Sequence, residues 1–381
     1  MTNLEIGLIF TGIMMVMLFA GMRVAFAAAF SGTFGLIAIL AQRMDFEKAV
    51  SAALGIAGTI PHSKAVTYAL SVLPMFILIG FLAFHAGITK ALFEAAKRWF
   101  GRLPGGMAVG TVFATAGFAA VSGASTATAA VFARVAIPEM LKEGYDKRLA
   151  SGVVAAGGTL ATLIPPSAIL VIYAIIVEES VGKLLLAGFL PGIVSAIIYA
   201  AIIVATVVIK PESGPKSRVY SLKERVSSLP GTFPIIGVIF IIFGSMYFGW
   251  ATPTEAGALG AFVVFLLAMI RGMPASALKE ALIETSKLTV MIFTIIWGVL
   301  IYVRFLGFAG LPQAFASWID SLPYSPLTIL ICILLVYAIL GMFMDAIGML
   351  MLTLPVVHPA IVVLGYDTIW FGIIVVKMVE L

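Results

Sequence analysis

The chain is poor in charge, in cysteine and in histidine, and each shortage excludes a class of protein. Only 11% of its 381 residues are charged, while 62% are hydrophobic. A water-soluble globular protein is excluded, because a chain of this length could not hide so much apolar surface. A single cysteine, Cys332, excludes a disulfide framework. The three histidines, His62, His85 and His358, lie far apart and form no metal-ligand motif.

Long apolar runs take the place of the missing charge, and they predict an all-α protein that crosses a membrane several times. A helix needs about 20 residues to cross the hydrocarbon core, and several of the runs are too short to cross alone. The first run has no basic segment before it and no cleavage site, so we interpret it as a retained span. The apolar runs are residues 4–20, 23–40, 67–87, 107–121, 127–140, 149–176, 184–209, 232–250, 255–270, 288–306, 324–344, 346–364 and 368 to the end.

Four polar stretches separate the apolar runs: 42–64, 88–103, 211–229 and 271–287. The last three are rich in Lys and Arg, which assigns them to the cytoplasm. Residues 42–64 fall outside under this topology although they also hold basic residues. The net charge of +5 therefore reflects membrane orientation, and we do not expect a nucleic-acid partner.

Two segments of the chain repeat each other at a fixed distance. Pro138 is followed by Gly144-Tyr145-Asp146, and Pro359 by Gly365-Tyr366-Asp367, so that both offsets equal 221 (359 − 138 and 365 − 144). A half-chain repeat in a membrane protein indicates a transporter with its binding site at the repeat interface. The register places the partner of Pro165-Pro166 at about residue 386, beyond Leu381, so we expect a shortened second copy.

Two re-entrant hairpins are predicted, one in each copy of the repeat. Residues 107–138 are apolar with a small, hydroxyl-rich middle, and basic clusters flank both ends, which places both ends in the cytoplasm. Two full crossings and a turn would need more residues than this segment has. Residues 324–364 are flanked by Asp320 and Asp367 without nearby Lys or Arg, which places their ends outside. The hairpins enter from opposite faces, so the repeat is inverted.

A broken helix follows the first hairpin. The segment from Gly157 to Ser167 places two glycines, two threonines and Pro165-Pro166 inside an apolar run, and these residues cannot all remain helical. Its freed carbonyls and hydroxyls, together with those of the hairpin tip, form a set of hard oxygen ligands that suits Na⁺. An alternative is that the small residues only allow close helix packing. The predicted cation ligands are Ser122, Gly123, Ser125, Gly157, Gly158, Thr159 and Thr162.

The motifs, taken together, resemble the large membrane subunit (M) of tripartite ATP-independent periplasmic (TRAP) transporters, the DctM-like family. The resemblance implies an ion-transporter-superfamily fold, an elevator mechanism, Na⁺ coupling and a place in the bacterial inner membrane. It also implies a small four-helix membrane subunit (Q) and a periplasmic binding protein (P) that delivers an organic acid. The segments that carry it are 122–130, Ile137-Pro138-Glu139-Met140, Gly144-Tyr145-Asp146, 155–160, 163–167, 182–192, 251–257 and Gly341-Met342-Phe343-Met344-Asp345.

A second half-site and a solute site are predicted from the second hairpin. Gly341 and Asp345 are candidates for a second cation site, although Asp345 could instead cap a half-helix. An organic-acid carboxylate is expected between the two hairpin tips, where half-helix N-termini point positive dipole ends at an anion. The predicted solute-binding residues are Ser125, Thr126, Thr128, Pro165, Ser167 and Asp345.

The arms and spans predict how the chain divides into moving and fixed parts. The polar arms 42–64 and 271–287 suit a fixed scaffold that braces a sliding transport domain and contacts the small partner subunit and membrane lipid. The predicted parts are scaffold and first arm (1–106), transport half 1 (107–180), a connecting span with a cytoplasmic segment (181–231), scaffold and second arm (232–306) and transport half 2 (307–381).

Two rival functions, an intramembrane enzyme and a channel, explain the sequence less well than a transporter does. An intramembrane enzyme would need a nucleophile with its base or a metal motif, and none occurs in the sequence. A channel would need a continuous pore, whereas opposed hairpins suit alternating access.

Three charged residues have expected structural roles. Arg304 is expected to extend its charged end toward the membrane surface, Lys377 to pair with Glu380, and Glu255 to mark a helix start.

Overall fold

A computed structural model describes residues 1–65, 67–215, 218–342 and 344–380 of the chain. Every regular element within these ranges is helical, which confirms the predicted all-α class. The α-helices are α1 (Asn3–Phe19), α2 (Val24–Leu40), α3 (Phe46–Ala65), α4 (Val72–His85), α5 (Ile88–Phe100), α6 (Gly106–Ser122), α7 (Ser125–Lys142), α8 (Lys147–Thr159), α9 (Ala168–Val177), α10 (Val181–Ile209), α11 (Leu222–Val226), α12 (Phe233–Tyr247), α13 (Pro253–Ile270), α14 (Ala275–Ala309), α15 (Leu311–Asp320), α16 (Pro326–Gly341), α17 (Ala346–Val363) and α18 (Thr368–Met378).

Several helices are long and apolar enough to cross a membrane. By length and composition α10, α13, α14 and α17 qualify alone, and two bent pairs would raise the number of spans among the described residues from 4 to 6. One pair is α4 with α5, bent by 71°, and the other joins the segment Leu222–Gly231 to α12 with a bend of 54°. These helices agree with the predicted multi-pass membrane protein.

The chain forms two compact units, each built from separate segments. The first unit comprises Met1–Leu70, Ile172–Glu179 and Thr289–Leu381. The second comprises Ser71–Val171 and Ser180–Leu288, so it contains α6, α7 and α8. The two units are groups of residues that contact each other more than they contact the rest of the chain. They do not test the predicted division into scaffold and transport parts, which stays a prediction.

The sequence repeat is a structural repeat at the level of single hydrogen bonds. Gly144 and Gly365 both adopt left-handed backbone, with φ of +88° and +80°, a conformation that glycine reaches without steric cost. The amides of Tyr145 and Tyr366 each donate to the carbonyl five residues earlier, at 3.0 and 3.2 Å. In both copies, a left-handed glycine and the same backbone hydrogen bond therefore end one helix and lead into the next.

The aspartates of the two copies cap the helices that follow. Asp146 accepts hydrogen bonds from the amides of Arg148 (2.8 Å) and Leu149 (3.2 Å) at the start of α8. Asp367 accepts one from the amide of Trp370 (2.7 Å) at the start of α18. Each carboxylate satisfies amides that have no partner inside the helix.

Removing either cap should destabilise the protein by a similar amount. We expect Asp146→Ala and Asp367→Ala each to cost about 1 kcal/mol, whereas Asp146→Asn and Asp367→Asn should cost little, because Asn is an equally good cap. Thermal unfolding of the purified protein measures the effect. Equal losses for Ala and Asn would show that charge, and not the capping hydrogen bond, stabilises the turn.

Helix α14 joins a predicted arm and a predicted span into one element. It has 35 residues, about 52 Å at 1.5 Å per residue, which is well beyond the ~30 Å hydrocarbon core. Residues 275–287 of the polar stretch therefore form the first turns of a helix whose later turns are apolar.

Candidate cation and solute site

The first hairpin turns within two residues. Helix α6 ends at Ser122 and α7 begins at Ser125, so that only Gly123 and Ala124 link them. Gly123 has φ of +64°, and a Cβ at this position would overlap the carbonyl oxygen of Pro166. The Gly123 carbonyl in turn accepts from the amide of Ala168 at 3.0 Å. The hairpin tip is thus fixed directly on the segment that follows α8.

That segment is the predicted break in the helix, and the structure confirms it. Helix α8 ends at Thr159, one 3₁₀ turn spans Leu160–Thr162, and α9 begins only at Ala168. The Pro165–Pro166 peptide bond is cis. Across the described ranges, the carbonyls of residues 163–166 accept no backbone hydrogen bond. The break therefore leaves a run of buried carbonyls without backbone partners, as the sequence predicts.

A relay of hydroxyl groups holds the broken segment together. The Thr162 hydroxyl donates to the Thr159 carbonyl at 2.7 Å, and the Ser167 hydroxyl donates to the Thr162 carbonyl at 2.6 Å. The Ser167 oxygen also accepts from the amide of Leu170 at 3.2 Å and so caps α9. Each hydroxyl gives its only proton to the backbone, and its oxygen keeps lone pairs for a cation.

The hydroxyls of the hairpin itself divide between interior and surface. Ser122 and Thr128 are both buried, and their oxygens lie 2.8 Å apart, so one donates to the other. Ser125 is half-buried and Thr126 is exposed in the first turn of α7. The structure thus places Thr128 inside the hairpin, beside the predicted cation ligand Ser122, while Ser125 and Thr126 lie at the surface.

The two glycines of the broken helix lie at close helix contacts. A Cβ on Gly158 would lie 2.8 Å from the Ala129 Cβ and 3.3 Å from the Ser125 carbonyl oxygen. A Cβ on Gly157 would lie 2.5 Å from the Thr115 hydroxyl oxygen. Close packing explains both glycines on its own, so their part in a cation site stays a prediction.

Tyr199 on α10 adds a hydroxyl to this site that the sequence motifs do not indicate. The Thr159 oxygen lies 3.1 Å from the Tyr199 hydroxyl on α10 and also donates to the Ala156 carbonyl at 2.8 Å. Tyr199 also lines a cavity of about 160 Å³ together with Arg148 and Thr206. A tyrosine inside a long apolar helix is the one signal that could have drawn attention to it.

The second hairpin segment forms the two helices α16 and α17, with Gly341 as the last residue of α16, and its re-entry into the membrane stays a prediction. The carboxylate of Asp345 accepts from the amide of Gly348 at 3.0 Å and caps α17. The capping alternative is therefore shown, and a role of Gly341 and Asp345 in a second cation site stays a prediction. Phe343 lies outside the described residues. The second hairpin belongs to the first unit, whereas Ser122 and Thr162 belong to the second.

Other ionisable residues have local partners. His85 Nε2 lies 2.9 Å from the Glu284 carboxylate, and His358 Nε2 lies 3.4 Å from the Thr368 hydroxyl. Glu255 accepts from the amide of Thr252 in a capping box at the start of α13, which confirms the predicted helix start. No His, Cys, Asp or Glu cluster in the described part of the chain has metal-ligand geometry.

Comparison with known proteins assigns the chain to a family. A family profile described as the DctM component of the tripartite ATP-independent periplasmic transporter matches residues 11–381. The C4-dicarboxylate TRAP transporter large permease DctM of Pseudomonas aeruginosa is 35% identical over 316 residues, which cover 82% of this chain and 74% of that protein. The sialic acid permease SiaM of Vibrio cholerae is 30% identical over 366 residues (94% and 82%). The ectoine permease TeaC of Halomonas elongata is 29% identical over 311 residues (81% and 72%).

Since the relatives are permease components of transporters, this chain is a transport protein and not an enzyme. The profile match runs along nearly the whole sequence, and it includes both hairpins and the broken helix. The chain belongs to the DctM family of tripartite ATP-independent periplasmic transporters.

Proposed function

We propose that this chain is the large permease of a Na⁺-coupled secondary transporter that imports an organic acid across the bacterial inner membrane by an elevator motion. A small membrane subunit and a periplasmic binding protein would complete the system. The observation that carries the proposal is the contact between the first hairpin tip and the helix break, where Gly123 meets Pro166 and Ala168.

The chemistry of this contact favours a monovalent hard cation. Its oxygens come from hydroxyls and backbone carbonyls, and no carboxylate is found among the predicted ligands around Ser122 and Thr162. Neutral oxygen ligands suit Na⁺, whereas divalent ions usually take carboxylates as well. The Thr162 and Ser167 hydroxyls donate their protons to backbone carbonyls, so their oxygens keep lone pairs that can bind a cation. The freed carbonyls at residues 163–166 supply further ligands.

The same contact favours an anionic solute. Helices α7 and α9 both begin here, at Ser125 and Ala168, and the Gly123–Ala168 hydrogen bond brings their N-termini together. Ala124, at the N-cap of α7, provides no side-chain cap. Two helix N-termini with their positive dipole ends attract a carboxylate. The names of the relatives refer to C4-dicarboxylates, sialic acid and ectoine, all of which carry a carboxylate group.

Removing a cation ligand should raise the Na⁺ requirement. We expect Ser122→Ala and Thr162→Ala to raise the Na⁺ concentration for half-maximal uptake about tenfold, as for a loss of ~1.4 kcal/mol in cation affinity. Uptake of a labelled C4-dicarboxylate into proteoliposomes, with the partner proteins present and Na⁺ varied, measures the effect.

Thr111→Ala is the matched control for these variants. Thr111 is also fully buried on α6, and its hydroxyl donates to the Met107 carbonyl at 2.9 Å, but it lies three turns away from the tip. Its Na⁺ dependence should be that of the parent protein. If Ser122→Ala and Thr162→Ala behave like Thr111→Ala, the cation site does not lie at this contact.

A further inference from the structure

The short helix α11 packs against α5 within the second unit, and this contact fixes the backbone of Arg225. The Arg225 carbonyl accepts hydrogen bonds from the Trp99 indole on α5 at 3.3 Å and from the Ser228 hydroxyl at 2.6 Å. The Arg225 amide donates to the Ser221 carbonyl at 3.0 Å. The backbone of Arg225 is therefore held in one position on α5.

The side chain of Arg225 is buried without a partner. The residue is only 8% exposed, and its Nε and Nη2 atoms are enclosed without any hydrogen-bond acceptor among the residues that the structure describes. None of the ion pairs in the described ranges includes this guanidinium. A buried charge in a stable protein normally has a hydrogen-bonded partner of opposite sign. The structure therefore indicates that an acceptor for Arg225 comes from outside the chain.

The carboxylate next to Arg225 in the chain is engaged elsewhere. Glu224 accepts from the amide and the hydroxyl of Ser221 at 2.8 and 2.9 Å, and it pairs with Arg218 at 3.1 Å. Glu94, the acidic residue of α5, lies beyond ion-pair distance of every basic side chain in the described part of the chain.

The surroundings of Arg225 favour an anion. The polar stretches 88–103 and 211–229, which meet where α5 contacts α11, contain eight basic and three acidic residues. An excess of positive charge raises the local concentration of anions. Both stretches are predicted to lie in the cytoplasm, so this anion would come from that side of the membrane.

Apolar side chains at the surface of α11 indicate that the ligand also carries hydrocarbon. Leu222 and Val226, one turn apart, are 70% and 58% exposed, and Trp99 on α5 is 43% exposed. Exposed apolar residues beside basic ones are typical of a segment that lies in the membrane interface, where tryptophan is enriched. A ligand that matches this surface has an anionic group and an apolar part.

We infer that Arg225 binds the phosphate of an anionic phospholipid in the cytoplasmic leaflet, with the acyl chains of the lipid against Leu222 and Val226. A guanidinium offers parallel N–H groups that match the oxygens of a phosphate. Basic segments next to membrane spans attract anionic lipids in the same way. This inference does not depend on the proposed cation and solute site, because it uses none of those residues.

Lipid binding to the purified, delipidated chain in detergent tests the inference without a transport step. The chain is titrated with phosphatidylglycerol or with phosphatidylcholine of the same acyl chains, and bound lipids are counted by native mass spectrometry. We expect one phosphatidylglycerol to bind about tenfold more tightly than phosphatidylcholine, because the basic surroundings repel the choline cation. Equal affinity for the two lipids would overturn the assignment, and this comparison needs no variant.

Variants of Arg225 locate the lipid on the protein. Arg225→Gln should raise the dissociation constant for phosphatidylglycerol about tenfold, and Arg225→Lys should raise it less, because lysine keeps the charge but not the planar fork of donors. Lys223→Gln is the matched control, since it removes the same charge from an exposed position of the same helix. Its dissociation constant should stay that of the parent. Equal losses for Arg225→Gln and Lys223→Gln would mean that net charge alone attracts the lipid, which overturns the site.

The melting temperature separates a ligand site from a structural role of Arg225. In lipid-free detergent Arg225→Gln should melt at or above the temperature of the parent, because it removes a buried charge without a partner. Phosphatidylglycerol should raise the melting temperature of the parent but not that of the variant. A lower melting temperature of the lipid-free variant would show that Arg225 is paired within the protein, and the inference would fail.

Two other occupants are distinguished by competition. Displacement of the bound lipid by inorganic phosphate would mean that the site takes free phosphate. Loss of the lipid when the chain assembles with the small membrane subunit would mean that a carboxylate of that subunit pairs with Arg225. Either result overturns the assignment to a lipid, whereas a lipid that remains bound in both experiments supports it.

Discussion

Substitution of Gly123 by alanine should lower the initial rate of uptake at least tenfold. The residue has a left-handed backbone, with φ of +64°, which costs an L-residue about 1–2 kcal/mol. In addition, its new methyl group would overlap the Pro166 carbonyl oxygen. The tip and the helix break would have to move apart, and the Gly123–Ala168 hydrogen bond at 3.0 Å would be lost. Since both proposed ligand sets meet at this contact, we expect at least a tenfold loss of initial uptake rate, equivalent to ~1.4 kcal/mol.

Gly152→Ala provides the matched control for this loss. Gly152 lies inside α8, and a Cβ there would meet no atom within 4 Å. Alanine in a helix interior is more favourable than glycine, so this variant should keep its uptake and gain slightly in stability. Initial rates at saturating Na⁺, corrected for the amount of folded protein, distinguish the two. Normal uptake by Gly123→Ala would show that the tip contact can open without loss of function.

The sequence predicts those parts of the fold that are determined by neighbouring residues, such as turns, helix caps and helix breaks. The left-handed turns at Gly144 and Gly365 and the caps at Asp146 and Asp367 depend on residues within one turn of the helix, so a matching sequence yields a matching structure. The helix break was predictable for the same reason, because consecutive prolines cannot continue a helix.

The orientation of individual side chains was not predictable. Thr128 was grouped with the solute ligands, but the structure places it inside the hairpin against Ser122. Its neighbour Thr126, of the same type and only two residues away, is exposed. Which side of a helix faces inward depends on the helices that pack against it. In this chain α8 packs against α7 and α4 packs against α6, and these contacts form only on folding. The contact between the Thr159 and Tyr199 hydroxyls was not predictable for the same reason, because the two residues are 40 positions apart in the chain.

The continuity of α14 was hidden for a different reason. Side-chain polarity changes abruptly between the stretches 271–287 and 288–306, and this change suggests that one helix ends and another begins there. The backbone hydrogen bonds of a helix do not depend on side-chain polarity, and α14 contains no proline or glycine from its start at Ala275 until Gly298. The backbone of Glu178, which follows α9 with a left-handed φ of +60°, was not predictable, because such a position at a helix end is expected to hold glycine.

A disulfide across the predicted boundary between scaffold and transport parts should stop uptake completely. Val24 lies in the predicted scaffold, and Gly348 lies at the start of α17 in the predicted transport half. A Cβ on Gly348 would lie 3.1 and 3.2 Å from the two methyl carbons of Val24, so cysteines at both positions fall within the reach of a disulfide. The background is Cys332→Ser, because Cys332 is a free and exposed thiol.

Oxidation should bring uptake by the Val24→Cys/Gly348→Cys variant to background, and reduction should restore it, because a disulfide holds the two Cα atoms within about 7 Å and prevents sliding. The control pair, Ile242→Cys/Gly260→Cys, lies entirely within the predicted scaffold, where a Cβ on Gly260 would be 2.9 Å from Ile242 Cγ1. Crosslinking that pair should leave uptake intact. If the first pair is fully crosslinked and uptake continues, α2 and α17 do not move past each other during transport, and the elevator proposal fails at this boundary.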